Sequence, residues 1–429
     1  MADVPSYVVM GQVFITNGTG VITEAGRQAT DGATVLHVTT EGTFTFYMAN
    51  GTACVIANVG DGAAITGSPK TLAAGANAVT ITGTGTITLT LTIGTTANNN
   101  SVNTYSLASG GACGASVPIS SNSCLLDANS FTKVGQSFNF AAGLICMHLN
   151  WTGALYNPAL AGGASIQITI WGSLTTIAAM TWTKTAYFLV FYGSGGNITT
   201  NGCSISDTIQ IGSAIPTSGS RTMVDNTTCG GIYLAYGLLT VAAGVTINTG
   251  AVTITTDAQG KTLTLGAGVI INCTSWTWGT NGTLTTNTAT INVSGTGAFA
   301  GGGITTYYIV NLKGTAHTIT GNNTFAQLNF NPTGAQTITY TDGSTQTYGA
   351  MTRAGTGVIT EQGSGVAGYN LVKTGSGLVV LSKMSVSRAT VTPANKHYYR
   401  NQSVDGGNNT GITFNEPPPT IVPKLFRAG

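Results

Sequence analysis

Apolar and polar residues alternate along most of this chain. Residues 245–265 read VTINTGAVTITTDAQGKTLTL. Val245 and Ile247, Val252 and Ile254, and Leu263 and Leu265 form pairs of period two, with Gly, Asn or Asp breaks between them. The rhythm returns in ATINVSG (289–295), YYIVNLKG (307–314), TFAQLNFN (324–331) and QTITYTDG (336–343). No amphipathic helical run longer than two turns stands out. Short strands at this spacing fit a sandwich, a barrel or a solenoid. A sandwich is usually complete within about 100 residues. Here the pattern continues from about residue 101 to residue 400 without a linker. That continuity predicts a β-solenoid, with coils of roughly 20–25 residues that each bury a face on the next.

Residues 1–95 read differently. They carry longer strand-like runs, EGTFTFYMANGTACVIANVG (41–60) and NAVTITGTGTITLTLTIG (77–94). We expect a small separate β domain there, with TANNNS (96–101) as a linker. Residues 101–400 form the body. Residues 401–429 are expected to form an extended arm, because the prolines in NEPPPTIVPKLFRAG (415–429) cannot donate to a ladder.

Composition agrees with an all-β chain. Of 429 residues, 60 are Gly and only 7% are charged, against about 25% in an ordinary domain. The net charge of +2 exerts no global pull toward nucleic acid or an anionic membrane. No run reaches the ~18 apolar residues of a membrane-spanning helix. The N-terminal MADVPSYVVMGQVFITNG lacks the basic and apolar regions of a signal peptide. The ends differ in sign. Asp3, Glu24, Asp31, Glu41 and Asp61 lie near the start, while Lys383, Arg388, Lys396, Arg400, Lys424 and Arg427 lie near the finish. Seven cysteines without a CxxC spacing predict buried apolar side chains, not a stapled scaffold.

DANSFT (127–132), WTGA (151–154) and GSLT (172–175) form a recurring succession of strand and turn. With GTGAFAGGGITTYYIVNLKGTAHTITGNNTFAQLNF (295–330) and SVDGGNNTGITF (403–414), it resembles the β-strand-repeat proteins of bacteriophage particles and large bacterial adhesins. The resemblance implies a right-handed parallel β-helix for the body; the small N-terminal β domain and the extended C-terminal arm lie outside it and rest on the residues alone. It also implies a virion fibre, a tailspike or an adhesive appendage; the lack of a signal peptide favours the virion branch, a fibre, spike or decoration subunit assembled in the host cytoplasm and released by lysis. Its expected partners are other virion proteins of the capsid or tail, further copies of itself (the family precedent is a trimer) and a host-surface glycan. No cofactor, nucleic acid or membrane insertion is expected. The competing readings are a glycan-cleaving tailspike depolymerase and a bacterial surface adhesin or filament subunit.

Candidate chemistry is sparse. Gly260-Lys261-Thr262 ends like a phosphate-binding loop, but Thr255 occupies the place of the first glycine and TLTLGAGVII continues as strand. GSGVAG (363–368) matches a dinucleotide motif without a following helix. Cys146 and His148, two residues apart, are read as sharing one strand face. A depolymerase needs two carboxylates, and Asp207, Asp225 and Asp257 are the acids of the central region. For glycan binding the candidates are Trp276 and Trp278 of SWTWG, and Tyr398 and Tyr399 of KHYYR. Lys424, Leu425, Phe426 and Arg427 are the candidate docking residues of the arm.

Overall fold

A computed structural model describes residues 6–9, 13–25, 32–48, 53–92, 96–98, 105–106, 117–131, 134–163, 165–184, 187–213, 218–256, 258–279, 281–297, 299–303 and 306–415. Every regular element among them is a β-strand. The chain divides into two compact units, residues 1–230 with 235–239, and residues 231–234 with 240–429. Both contain the coils of a right-handed parallel β-helix.

The first unit begins with an antiparallel sandwich. Val13–Asn17, Gly42–Met48, Gly75–Thr82 and Ala64–Ile65 make one sheet. Val21–Ile22, Gly32–Thr40, Gly85–Thr92, Ala53–Asp61 and Lys70–Leu72 make the other. In GTFTFYM every second side chain points inward, so Phe44, Phe46 and Met48 meet Ile15, Leu36, Val38, Ile56, Val79, Ile81 and Ile87 in one core. The sandwich is spliced into the coils. Before it, Ser6–Val9 lies parallel to Ser123–Leu125. After it, Thr96–Asn98 lies parallel to Ser137–Phe140.

The coils of this unit stack three inward columns. Cys124 faces Leu149, which faces Leu174, then Ile198, then Met223, an advance of 24 or 25 residues per coil. A second column runs Phe138, Leu160, Trp182. A third runs Cys146, Ile170, Phe191, Ile211. All these side chains are buried. Neighbouring backbones approach closely where a turn tightens. A Cβ on Gly237 would lie 2.0 Å from the carbonyl oxygen of Gly219, so only glycine fits there.

In the second unit an inward column runs Ile247, Ile271, Ile291, Val310, Leu328 and Met351. The next residue in each strand builds a polar row, Asn248, Asn272, Asn292, Asn311, Asn329 and Thr352. Each later amide donates from Nδ2 to the preceding Oδ1, at 2.9, 2.8, 2.7 and 2.7 Å. The Thr352 hydroxyl closes the row on Asn329. Each buried aliphatic residue contributes about 1.5–3 kcal/mol and each amide bond about 1 kcal/mol, so the apolar column dominates stability. The amide row decides register. A one-residue slip turns the aliphatics outward, and a two-residue slip keeps them inward but breaks the Asn pairing.

Asn292 both donates and accepts along the row, whereas Asn248 only accepts. Asn292→Ala is therefore expected to destabilise by about 1–3 kcal/mol, roughly twice the effect of Asn248→Ala. Urea midpoints of the two variants check this, and equal shifts would contradict the row as a stabilising unit.

Candidate functional site

The two described acids of the proposed catalytic set occupy successive coils, yet each reaches back to the preceding one. Asp207, in strand Ser204–Ile211, is fully buried and pairs with Lys184 Nζ at 2.8 Å. Its other oxygen accepts from Trp182 Nε1 at 2.9 Å, and the Tyr187 amide donates to Oδ1 at 2.6 Å. Asp225 accepts from the amides of Thr200 and Asn201 at 3.0 and 2.5 Å. These carboxylates are coil-to-coil fasteners and do not face a shared substrate space. Asp257 lies outside the described residues. Arg221, not singled out by sequence reasoning, is buried the same way. Its guanidinium donates to the carbonyls of Gly193, Tyr192 and Ile170, at 3.1, 2.5 and 3.3 Å.

The aromatic candidates are interior. Trp276 and Trp278 are 1% and 4% exposed, stacked on each other at 6.0 Å. Trp276 Nε1 donates to Tyr307 Oη at 3.1 Å. The correction has a simple cause: in SWTW the small polar Ser275 and Thr277 take the outward positions, leaving both rings inside. Tyr398 and Tyr399 are likewise buried, so KHYYR is not one surface cluster. Lys396 and Arg400 remain partly exposed on either side of a buried His-Tyr-Tyr. Lys424, Leu425, Phe426 and Arg427 lie outside the described residues.

The remaining motifs resolve plainly. Lys261–Leu265 is a strand, in keeping with a turn at GKT and not a nucleotide loop. GSGVAG forms the bend between Ile359–Gly363 and Tyr369–Lys373, where Asp342 accepts from the amides of Ala367 and Gly368. Cys146 ends strand Leu144–Cys146 and points into the core, while His148 lies beyond it in a turn. They do not share a strand face. His148 Nδ1 accepts from the Ser173 amide at 2.8 Å, and its pKa is lowered by burial and by the charge of Arg221. Cys124, Cys146, Cys203, Cys229 and Cys273 are buried. No group of three or more His, Cys, Asp or Glu suited to a metal occurs among the described residues.

Two features of the second unit went unseen in the sequence. The first is a buried cluster around Glu361. Its oxygens accept from Tyr340 Oη at 2.9 Å and Tyr399 Oη at 3.1 Å. Tyr348 bonds His397, and His397 Nδ1 approaches Tyr399 Oη at 3.4 Å. Tyr369 stacks on Tyr340 at 4.2 Å, with its hydroxyl unpartnered. Burial raises the Glu361 pKa to about 7, opposed by the two tyrosine hydrogen bonds. Burial and the charge of Lys373 lower that of His397 to about 3.

The second is a cleft of about 420 Å³ with Lys373 at one side. Strand Thr345–Arg353 keeps register with Asn370–Lys373 only as far as Tyr348. The Thr374 amide makes the last ladder bond, to the Tyr348 carbonyl; Gly375–Leu378 then leaves the ladder, and the edge Gly349–Thr352 loses its neighbour on that side. Lys373 Nζ bonds the Thr374 carbonyl, and Lys396 Nζ bonds the Ser376 carbonyl at 3.1 Å. Burial and the nearby Lys396 charge lower the Lys373 pKa. From residue 345 to residue 400 the cations are Arg353, Lys373, Lys383, Arg388, Lys396 and Arg400, and the acid is Glu361.

Two predictions follow from these buried charges. Asp207→Asn leaves the Lys184 ammonium buried without its counter-ion and should cost about 3–5 kcal/mol, read as a lowered denaturation midpoint. A midpoint unchanged from the native chain would show that the pair is not needed. Folded Glu361 holds its proton to about pH 7, against 4.5 for the ordinary carboxyl, so its contribution is full below pH 4.5 and is lost as pH rises through 7. His397 acts oppositely: its contribution is present above the ordinary value of 6.5 and is lost as pH falls toward 3. Comparison with Glu361→Gln isolates the first effect. Relative to that variant, the native chain should lose up to about 3 kcal/mol between pH 4.5 and pH 8. Melting curves of both proteins across this range measure it, and a pH-independent difference would refute it.

Comparison of the chain with protein-family models, with curated proteins and with solved structures finds no match.

Proposed function

We propose that this chain is a non-catalytic structural subunit of a bacteriophage particle, a fibre, spike or decoration protein that serves particle assembly or adhesion to the host surface. A β-helix is compatible with fibre, spike and adhesin roles. The observation that carries the reading is how its chemistry-bearing side chains are used. Asp207, Asp225, Arg221 and the Asn248–Asn329 row all join one coil to the next. Such residues make coils stiff and hard for proteases to open. Few charges elsewhere leave the surface bland, apart from the basic stretch at residues 345–400. In this reading the subunit is a homo-oligomer on the virion. The basic end contacts a host glycan or a capsid or tail protein, and Lys424, Leu425, Phe426 and Arg427 dock on a neighbour.

The depolymerase alternative loses its sequence motivation where Asp207 and Asp225 are fully engaged by their own chain. The decisive experiment is antibody labelling of intact particles by electron microscopy, together with release of reducing sugar from host polysaccharide by the purified chain. Label on the particle with no sugar release is the expected result. Unlabelled particles would remove the virion role, and sustained sugar release would restore the enzyme.

A further inference from the structure

We infer that the cleft between Gly349–Thr352 and Lys373–Leu378 is a binding site for the carboxylate or phosphate of an acidic saccharide, with Lys373 and Lys396 as its cationic pair. The inference rests on the adhesive part of the proposed function and names the site and the ligand class.

Charge is the first argument. The Lys373 and Lys396 ammonium groups reach carbonyls two residues apart in the lining, those of Thr374 and Ser376, and Lys373 feels the charge of Lys396. Among the described residues neither has a carboxylate partner. Their ammonium groups rest on the Thr374 and Ser376 carbonyls, which accept hydrogen bonds but do not cancel charge. An oxyanion between them relieves the repulsion and gains attraction in a partly desolvated setting, where a charge pair is worth more than in bulk water.

The shape of the cleft supplies the second argument. At about 420 Å³ it exceeds what a bare inorganic ion fills and falls within the usual range for small-molecule sites, roughly 300–1,000 Å³. The lining joins Gly349, Gly375 and Gly377 to the hydroxyl residues Thr352, Thr374 and Ser376, with Ala350, Met351 and Leu378 as its apolar members. Thr374 Oγ1 donates to the Tyr348 carbonyl at 3.1 Å and keeps acceptor capacity. No aromatic ring lines the cleft, so a neutral sugar finds no stacking platform there. Three hydroxyl residues beside a cation pair suit a polyhydroxylated ligand that carries one anionic group.

Occupancy has a consequence within the fold. Lys373 sits between the cleft and the buried cluster, and its charge helps to keep His397 neutral. An anion on Lys373 weakens that influence, so ligand binding and His397 protonation are thermodynamically linked.

Calorimetry on the full chain at low salt tests the site, with glucuronate and glucose 6-phosphate as probes and glucose and inorganic phosphate as comparators. Saturable binding of at least one acidic sugar is expected, no binding of glucose, and weaker binding of inorganic phosphate. The stronger of the two acidic sugars identifies the preferred anion. Lys373→Met and Lys396→Ala should each weaken that sugar about tenfold or more, whereas Lys383→Ala should leave it within about twofold. Lys383 carries the same charge but bonds the Thr356 carbonyl, whereas Lys396 bonds Ser376 of the lining, so an equal loss at Lys383 would reduce the effect to general electrostatics and overturn the site. Absence of saturable binding, glucose binding as well as glucuronate, or inorganic phosphate binding as well as glucose 6-phosphate would overturn it too. If Lys373→Met does not fold, the more exposed Lys396→Ala decides. Failure here with particle labelling intact removes the site and leaves the virion role; the reverse result removes the virion role and leaves the site.

Discussion

Parallel stacking without register slip is the constraint on which everything else depends. A coil of 15 to 25 residues returns each side chain above its counterpart in the coil before. Like therefore meets like: Ile271 lies on Ile247, and Asn272 on Asn248. Backbone hydrogen bonds hold the strands at the spacing of any sheet, but they fit every register equally. Side-chain columns select one. The aliphatic column supplies most of the free energy, and the amide row rejects shifted alternatives that would bury the aliphatics equally well.

Within that frame, buried polar groups are tolerable because the neighbouring coil is always close enough to satisfy them. A buried ion pair seldom adds net stability over apolar packing, but loss of one partner is severe. Lys184–Asp207 fits that description, held further by Trp182 and the Tyr187 amide. Arg221 shows the same solution without a carboxylate, its charge spread over carbonyls of earlier coils and over the Phe191 ring at 5.4 Å. The Glu361 cluster is the costly case. It gathers a carboxyl, an imidazole and four phenols in a core that would pack more simply with leucine.

The solenoid was legible because alternation survives in most of its strands, and local periodicity needs no knowledge of long-range contacts. The polar row was not. Its asparagines recur after 24, 20, 19 and 18 residues, so a fixed-period search misses them. The usable signal was an aliphatic residue followed by Asn in each strand: Ile247-Asn248, Ile271-Asn272, Ile291-Asn292, Val310-Asn311 and Leu328-Asn329. Trp276 and Trp278 shared a face as expected, but alternation alone does not say which face is the outer one. KHYYR defeated alternation altogether, since His397, Tyr398 and Tyr399 are buried in succession. The basic cleft was half visible, as an excess of cations near the end of the chain. Its pairing of Lys373 with Lys396 arises from a coil that leaves its ladder over Gly375–Leu378, which no local pattern announces.

The amide row also restrains motion about the side-chain bonds. From Asn272 to Asn329 each Nδ2 donates to the earlier coil, and from Asn248 to Asn311 each Oδ1 accepts from the later one. Rotating one interior amide by half a turn would set two NH2 groups face to face on one side and two carbonyl oxygens face to face on the other. No single member can turn alone without losing both bonds. The asparagines are thus geared together, and their torsions relax as one body or stay frozen.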